Sequence, residues 1–207
     1  MDERRLGILS GLAAYTMWGL FPLYFPLLEP AGGVEIVAHR IVWSLLFVAL
    51  LLTVVRRWGL VRAAVADRRT VLVLAGASVL IAANWLIFVY GVNSGHVVET
   101  SLGYFINPLV TIALGLIVLR ERVTPIQKIA LALGVVAVVI LIVGQRAVPI
   151  VSLTLALTFG LYSLVKKTVA GRVDPLAGMA IETAAVSPFL LGYYAYLAAT
   201  SATSFHT

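Results

Sequence analysis

The sequence predicts an all-α polytopic membrane protein, and three observations carry that prediction. Of 207 residues, 61% are apolar and 12% charged, with a mean hydropathy of +1.04. A soluble domain runs near 45–50% apolar and ~25% charged, and a 22.2 kDa globule leaves too much of its surface wet to hide such an excess. The apolar residues fall in runs close to the roughly 20 that a helix needs to cross ~30 Å of hydrocarbon, without the alternation of a barrel strand. Finally, 13 of the 15 lysines and arginines lie in alternate gaps between those runs, the positive-inside pattern that orients spans in a bilayer.

Seven spans follow in order: Leu6–Leu28, Val34–Val55, Val71–Val92, Val97–Leu119, Ile126–Val143, Val148–Val165 and Leu176–Ala199. Arg4 and Arg5 precede the first, which places the amino terminus in the cytoplasm. Its apolar stretch is too long for a signal peptide and no small-residue cleavage site follows, so it reads as an uncleaved anchor. Glu29-Pro30-Ala31-Gly32-Gly33 joins the first two spans, and Asn93-Ser94-Gly95-His96 the third and fourth. Arg56–Thr70 is the one sizeable loop, basic enough to lie along headgroups with Trp58 as its anchor. Arg120, Arg122 and Lys128 fill the fourth gap, and Lys166, Lys167 and Arg172 the sixth. Seven spans put the carboxyl end on the far side from the amino end.

Several function classes drop out. The absence of cysteine excludes a disulfide scaffold, a thiolate zinc site and an iron–sulfur cluster. The +6 net charge would suit nucleic acid, but a nucleic-acid binder has no reason to sort its charges into alternate loops. There is no HExxH, GxSxG or P-loop, and His39, His96 and His206 lack metal-ligand spacing. No metal, cofactor or catalytic residue is therefore expected. Glu35 with His39, at i and i+4, is the single couple an intramembrane enzyme could use. The expected partners are the lipid bilayer and a small-molecule substrate.

Polar residues within the spans point to a path. An ionisable group there costs roughly 2.5–3.5 kcal/mol to insert, so it faces the bundle interior. The second span carries Glu35, His39 and Arg40, the last about 9 Å below the helix end; the competing reading has Arg40 snorkel outward and Glu35 cap the helix. Glu182 lies about 9 Å inside the seventh span, a candidate proton carrier or cation ligand. Glu99 and Asn107 share a face of the fourth span, where Asn107-Pro108 interrupts the hydrogen-bond ladder, and Asn84 is similarly deep in the third. Trp18, Trp43 and Trp85 fall near mid-depth instead of in the interfacial belts. They read either as an aromatic lining for an organic substrate or as packing against glycine and alanine faces.

An inverted repeat is visible in Trp18-Gly19-Leu20-Phe21 and Phe159-Gly160-Leu161-Tyr162, five spans apart and so oppositely oriented. Longer stretches carry a family resemblance: Ala14 through Tyr24, Glu35 through Ser44, Ala83 through His96, Glu99 through Leu109, Leu119-Arg120-Glu121-Arg122, then Phe159 through Tyr162 with Lys166-Lys167, and Ile181-Glu182-Thr183 with Pro188. The chain resembles the RarD branch of the EamA-type drug/metabolite transporters over residues 6–197. The resemblance implies ten helices in two inverted five-helix repeats, alternating access to a central cavity, and the bacterial cytoplasmic membrane. It also implies movement of small metabolites or drugs, under a family label linked to chloramphenicol sensitivity. Residues 1–145 would be the first repeat and 146–207 an incomplete second one: two helices and a polar tail. On that reading three helices are missing, and either the chain is truncated or a second copy, as in a homodimer, closes the cavity. A non-transporting remnant is the rival reading, and an intramembrane enzyme a third. Trp18, Arg40, Trp43, Asn84, Trp85, Tyr104 and Asn107 would line the substrate cavity, with Glu35, His39, Glu99 and Glu182 as coupling or structural charges.

Overall fold

The structure, a computed structural model, describes residues 3–28, 31–145 and 149–200. Glu29, Pro30, Arg146, Val148 and the tail from 201 to 207 lie outside them. The described residues form α1 (Glu3–Tyr24), a 3₁₀ turn (Phe25–Leu28), α2 (Gly33–Val54), α3 (Trp58–Ala66), α4 (Arg68–Asn93), α5 (Val97–Val118), α6 (Pro125–Gln145), α7 (Ile150–Val169) and α8 (Pro175–Ala199). Six of these, α2 and α4 through α8, are long and apolar enough to cross a membrane. The first predicted span forms α1, which at 22 residues is as long as α2 and α5. Its helix stops at Tyr24 and its last turn is 3₁₀, where Pro26 offers no N–H to continue an α-helical ladder.

Capping chemistry sets the helix starts. Asp67 accepts from the Arg69 N–H at 3.0 Å and the Thr70 hydroxyl at 2.7 Å, opening α4. Those two bonds, the Thr70 hydroxyl first, hold the exposed Asp67 carboxyl below the usual carboxylate range. Thr124 and Gln127 form a reciprocal capping box with Pro125 in the first helical position of α6. Asp174 accepts from the Leu176 N–H at 2.9 Å, and Pro175 leads α8. Gly95 and Gly171, at φ +80 and +81, end α4 and α7 in the left-handed conformation glycine adopts without a Cβ clash.

Two elements differ from expectation. The Arg56–Thr70 segment is not a plain loop but holds the nine-residue α3. Val61 and Ala64, three apart, give that helix an apolar face that packs on Leu74, Val169 and Ile181 at one end of the bundle. The sixth span also runs four residues further than Val165, to Val169, so Lys166 and Lys167 belong to the last turn of α7 and not to the gap.

Helix α4 packs against α2, α7 and α8, while α5 lies along α7. Glycines set the α5–α7 spacing: a Cβ on Gly160 would meet Val110 at 2.8 Å, and one on Gly103 would meet Leu155 at 3.0 Å. Such small-residue seams replace the hydrophobic drive that helices lack in lipid. The Ser152 hydroxyl donates to the Glu99 carbonyl oxygen at 2.6 Å across the same seam. Helices α2 and α8 are antiparallel, since Val48 and Leu52 pack near Ala180 and Leu176, whereas Ile36 and Ile41 share a cluster with Val186 and Leu190. Helix α6 leaves Ile129, Leu133, Val136 and Ile140 on the outside, as a lipid-facing helix does.

Candidate functional site

Among the described residues two adjoining cavities lie between the helices, apart from a smaller one of about 380 Å³ between the start of α4 and the end of α7. The first, of about 870 Å³, sits under the α7–α8 turn (Val169–Pro175), with walls that include Ile41, Ile81, Trp85 and Val186. The second, of about 660 Å³, is walled by Tyr15, Trp18 and Gly19 of α1, Phe88 of α4, Tyr104 and Asn107 of α5 and Phe159 of α7. Thr111 and Ser163 border both, so the two spaces adjoin at a pair of hydroxyls. No hydrogen bond joins either hydroxyl to another described residue.

The lower part of the first cavity is charged. Lys166 forms an ion pair with Glu182, and the Tyr162 hydroxyl donates to the second carboxylate oxygen at 3.2 Å. Their positions follow from helix geometry. Tyr162 and Lys166 are i and i+4 on α7, one above the other, and Gly178, one turn before Glu182, leaves room for the ammonium: a Cβ there would stand 3.2 Å from Lys166 Nζ. The Lys166 side chain is 30% exposed and that of Glu182 9%. Nearby, Lys167 pairs with Glu121 and ties the end of α7 to the α5–α6 turn. Among the described residues no group of three metal-ligating side chains occurs.

The predicted site residues divide. Trp18, Tyr104 and Asn107 line the second cavity, with the Trp18 and Tyr104 rings edge-to-face at 5.7 Å and Tyr104 against Phe88 at 5.3 Å. Asn107 keeps a buried Oδ1 with no hydrogen-bond partner. Trp85 and Glu182 line the first cavity. Arg40 lies behind that wall, its guanidinium over Trp85 at 4.2 Å and over Phe21 at 5.2 Å, a double cation–π stack. Asn84 is buried in a helix contact, its Nδ2 donating to the Leu155 carbonyl and the Thr158 hydroxyl of α7, both at 2.9 Å. Trp43 stands on the outer surface of α2, 65% exposed. Glu35 is buried in the first turn of α2, His39 meets the Tyr194 ring edge-to-face at 5.0 Å, and Glu99 is half-buried in the first turn of α5.

Sequence reasoning left out Lys166, Tyr162, Thr111 and Ser163. A hydropathy window stops at the first lysine, which assigned Lys166 to a loop. The i, i+4 spacing of Tyr162 and Lys166 was the available signal, because a long lysine near a helix end lays its stem along apolar surface while its head seeks a partner.

The model of the EamA-like transporter family matches residues 5–143. A protein named RarD from Streptomyces exfoliatus is 46% identical over 99% of this chain and 64% of its own length. An uncharacterized transporter from Pseudomonas aeruginosa is 44% identical over 97% of this chain and 67% of its own. A RarD protein from Escherichia coli K12 is 40% identical over 98% of this chain and 67% of its own. The chain spans about two thirds of the length of these curated relatives. No solved structure matches it.

Proposed function

The chain belongs to the EamA-like transporter family, and from that premise we propose that its two adjoining cavities are the two arms of a solute path through the bacterial cytoplasmic membrane. The cargo is a small metabolite or drug, and the mechanism is alternating access. The observation that carries this reading is the junction at Thr111 and Ser163, where one space lined by aromatic rings adjoins another that ends in the Lys166–Glu182 pair. A path of this kind needs polar groups at mid-depth to replace water around the solute, and apolar walls to keep lipid out.

With the amino terminus in the cytoplasm, the Lys166–Glu182 arm opens inward and the Trp18–Tyr104–Asn107 arm outward. In this reading Trp18, Tyr104, Asn107 and Trp85 contact the solute, Arg40 holds the Trp85 ring in place from behind, and Asn84 braces α4 on α7. The path is completed by further helices or by a second copy of the chain.

The test is uptake into proteoliposomes with a panel of small metabolites and chloramphenicol. Thr111→Trp and Ser163→Trp each plug the junction and abolish uptake. Val139→Trp, on the exposed face of α6, leaves it unchanged. Uptake that survives both plugs overturns the path.

A further inference from the structure

We infer that the crevice between the start of α4 and the end of α7 binds the headgroup of an anionic phospholipid, its phosphodiester held by Arg69 and Arg172. The inference stands apart from the solute path. The crevice, of about 380 Å³, is bordered by Asp67, Arg69 and Thr70 at the start of α4 and by Thr168 and Arg172 at the end of α7. Val73 and Val165, one turn further into the two helices, complete it. Arg172 also borders the large cavity under the α7–α8 turn.

The crevice lies at the depth of lipid headgroups. Helices α4 and α7 are both long and apolar enough to span the membrane, and they begin and end there, at Arg68 and Val169. Helix α3 packs at the same end of the bundle, on Leu74 and Val169. Its first residue, Trp58, is 41% exposed, and this type of ring settles at the headgroup level. Asp67, Arg69, Thr168 and Arg172 are all exposed, so a lipid can reach them.

The charges at this end do not cancel within the chain. Lys166 and Lys167 are paired with Glu182 and Glu121. Asp174 is spent on the cap of α8, accepting from the Leu176 and Ala177 N–H groups at 2.9 and 3.4 Å. Asp67 uses one oxygen for the Arg69 N–H and the other for the Thr70 hydroxyl. It also feels the Arg69 charge through space, yet neither Arg69 nor Arg172 has an ion-pair partner among the described residues. Two guanidinium groups therefore stand against one carboxylate, a surplus of one positive charge.

A monoanionic phosphodiester matches that surplus. Guanidinium forks suit phosphate oxygens, and basic pockets between spanning helices are where anionic headgroups bind. Asp67 keeps lone pairs, as does the Thr168 hydroxyl, which donates to the Val165 carbonyl oxygen. Both can accept from the hydroxyls of a glycerol headgroup, which singles out phosphatidylglycerol. Phosphatidylcholine has no headgroup donor for these acceptors. Phosphatidylethanolamine has one, but it brings no net charge and leaves the surplus in place.

The experiment is native mass spectrometry of the purified chain in detergent, titrated separately with dioleoyl phosphatidylglycerol, phosphatidylethanolamine and phosphatidylcholine. An arginine near an anionic lipid is worth about fivefold in affinity, so phosphatidylglycerol should bind at least about fivefold tighter than either of the others. Arg69→Gln/Arg172→Gln should bring the three lipids to within about twofold. Thr168→Trp fills the crevice with both arginines in place and should have the same effect. Arg62→Gln/Arg122→Gln removes as much charge from exposed positions outside the crevice and should keep the preference. Equal binding of the three lipids by the wild type would overturn the inference. So would a preference that survives Arg69→Gln/Arg172→Gln or Thr168→Trp, or an equal loss in Arg62→Gln/Arg122→Gln. Displacement of phosphatidylglycerol by millimolar inorganic phosphate would make this a site for free phosphate and remove the lipid.

Discussion

Gly103 gives the sharpest test of how closely α5 and α7 approach. A Cβ added there would stand 3.0 Å from Leu155 Cβ, 3.1 Å from the Ser152 carbonyl oxygen and 3.2 Å from Leu155 Cδ1. Carbon atoms rest at about 3.5–4.0 Å, so the helices must part by roughly half an ångström to admit one methyl group. The carbonyl oxygen belongs to the α7 backbone and cannot rotate aside. Parting also stretches the bond between the Ser152 hydroxyl and the Glu99 carbonyl oxygen, now 2.6 Å, one turn along the seam. Overpacking of this kind costs about 1–3 kcal/mol; alanine belongs at the lower end and valine, with two more carbons, at the upper. Any gain in helix propensity over glycine, up to ~1 kcal/mol, would mask part of the cost. The measurement is therefore the difference between Gly103→Val and Gly76→Val, because Gly76 is also helical and nothing lies within 4 Å of its Cβ position. Unfolding in sodium dodecyl sulfate, followed by helical circular dichroism, should place Gly103→Val about 3 kcal/mol below Gly76→Val. Equal stability of the two would show that the seam is looser than the structure has it, and that Gly103 and Gly160 do not set the α5–α7 distance.

Three further outcomes are expected. Arg40→Lys should destabilise the chain by about 1 kcal/mol, because a compact ammonium loses the planar stack on Phe21 and Trp85; a double-mutant cycle with Trp85→Leu checks this, and a zero coupling energy refutes the stack. Asp67 caps α4 more strongly when ionised, and its folded pKa is depressed, so this extra contribution is present above the unfolded carboxylate value of about 3.9 and is lost as pH falls through the folded one. Amide exchange at Arg69 and Thr70 should accelerate over that acid range in the wild type and show no such pH step in Asp67→Asn. Because the chain has no cysteine, single cysteines at Ala63 and Ser94 can be labelled with an impermeant maleimide. The proposed topology puts them on opposite faces of the membrane, and labelling both from one side would refute it.

The membrane class and most of the helices were legible because they depend on composition and run length, which solvation energy acts on residue by residue. The caps at Asp67, Thr124–Gln127 and Asp174 fix the helix starts, but run length passes over them, which is why it opens the third span at Val71 while α4 starts at Arg68. Boundaries were also lost at Lys166, where apolar length was again the guide, and where an amphipathic turn hides in a basic stretch, as in α3. Of the residues the sequence singled out, Trp18, Trp85, Tyr104, Asn107 and Glu182 border the two cavities, whereas Asn84, Trp43 and Arg40 line neither.

What the sequence alone determined is which segments leave water, since transfer into oil is a property of each segment by itself. The tertiary structure decided which polar groups face one another. Glu182 looked like a lone acid until α7 and α8 were packed, and Asn84 looked like a cavity donor until Leu155 and Thr158 came within its reach. Pairing depends on distances between helices, and side chains as small as those of Gly103, Gly160 and Gly178 set those distances.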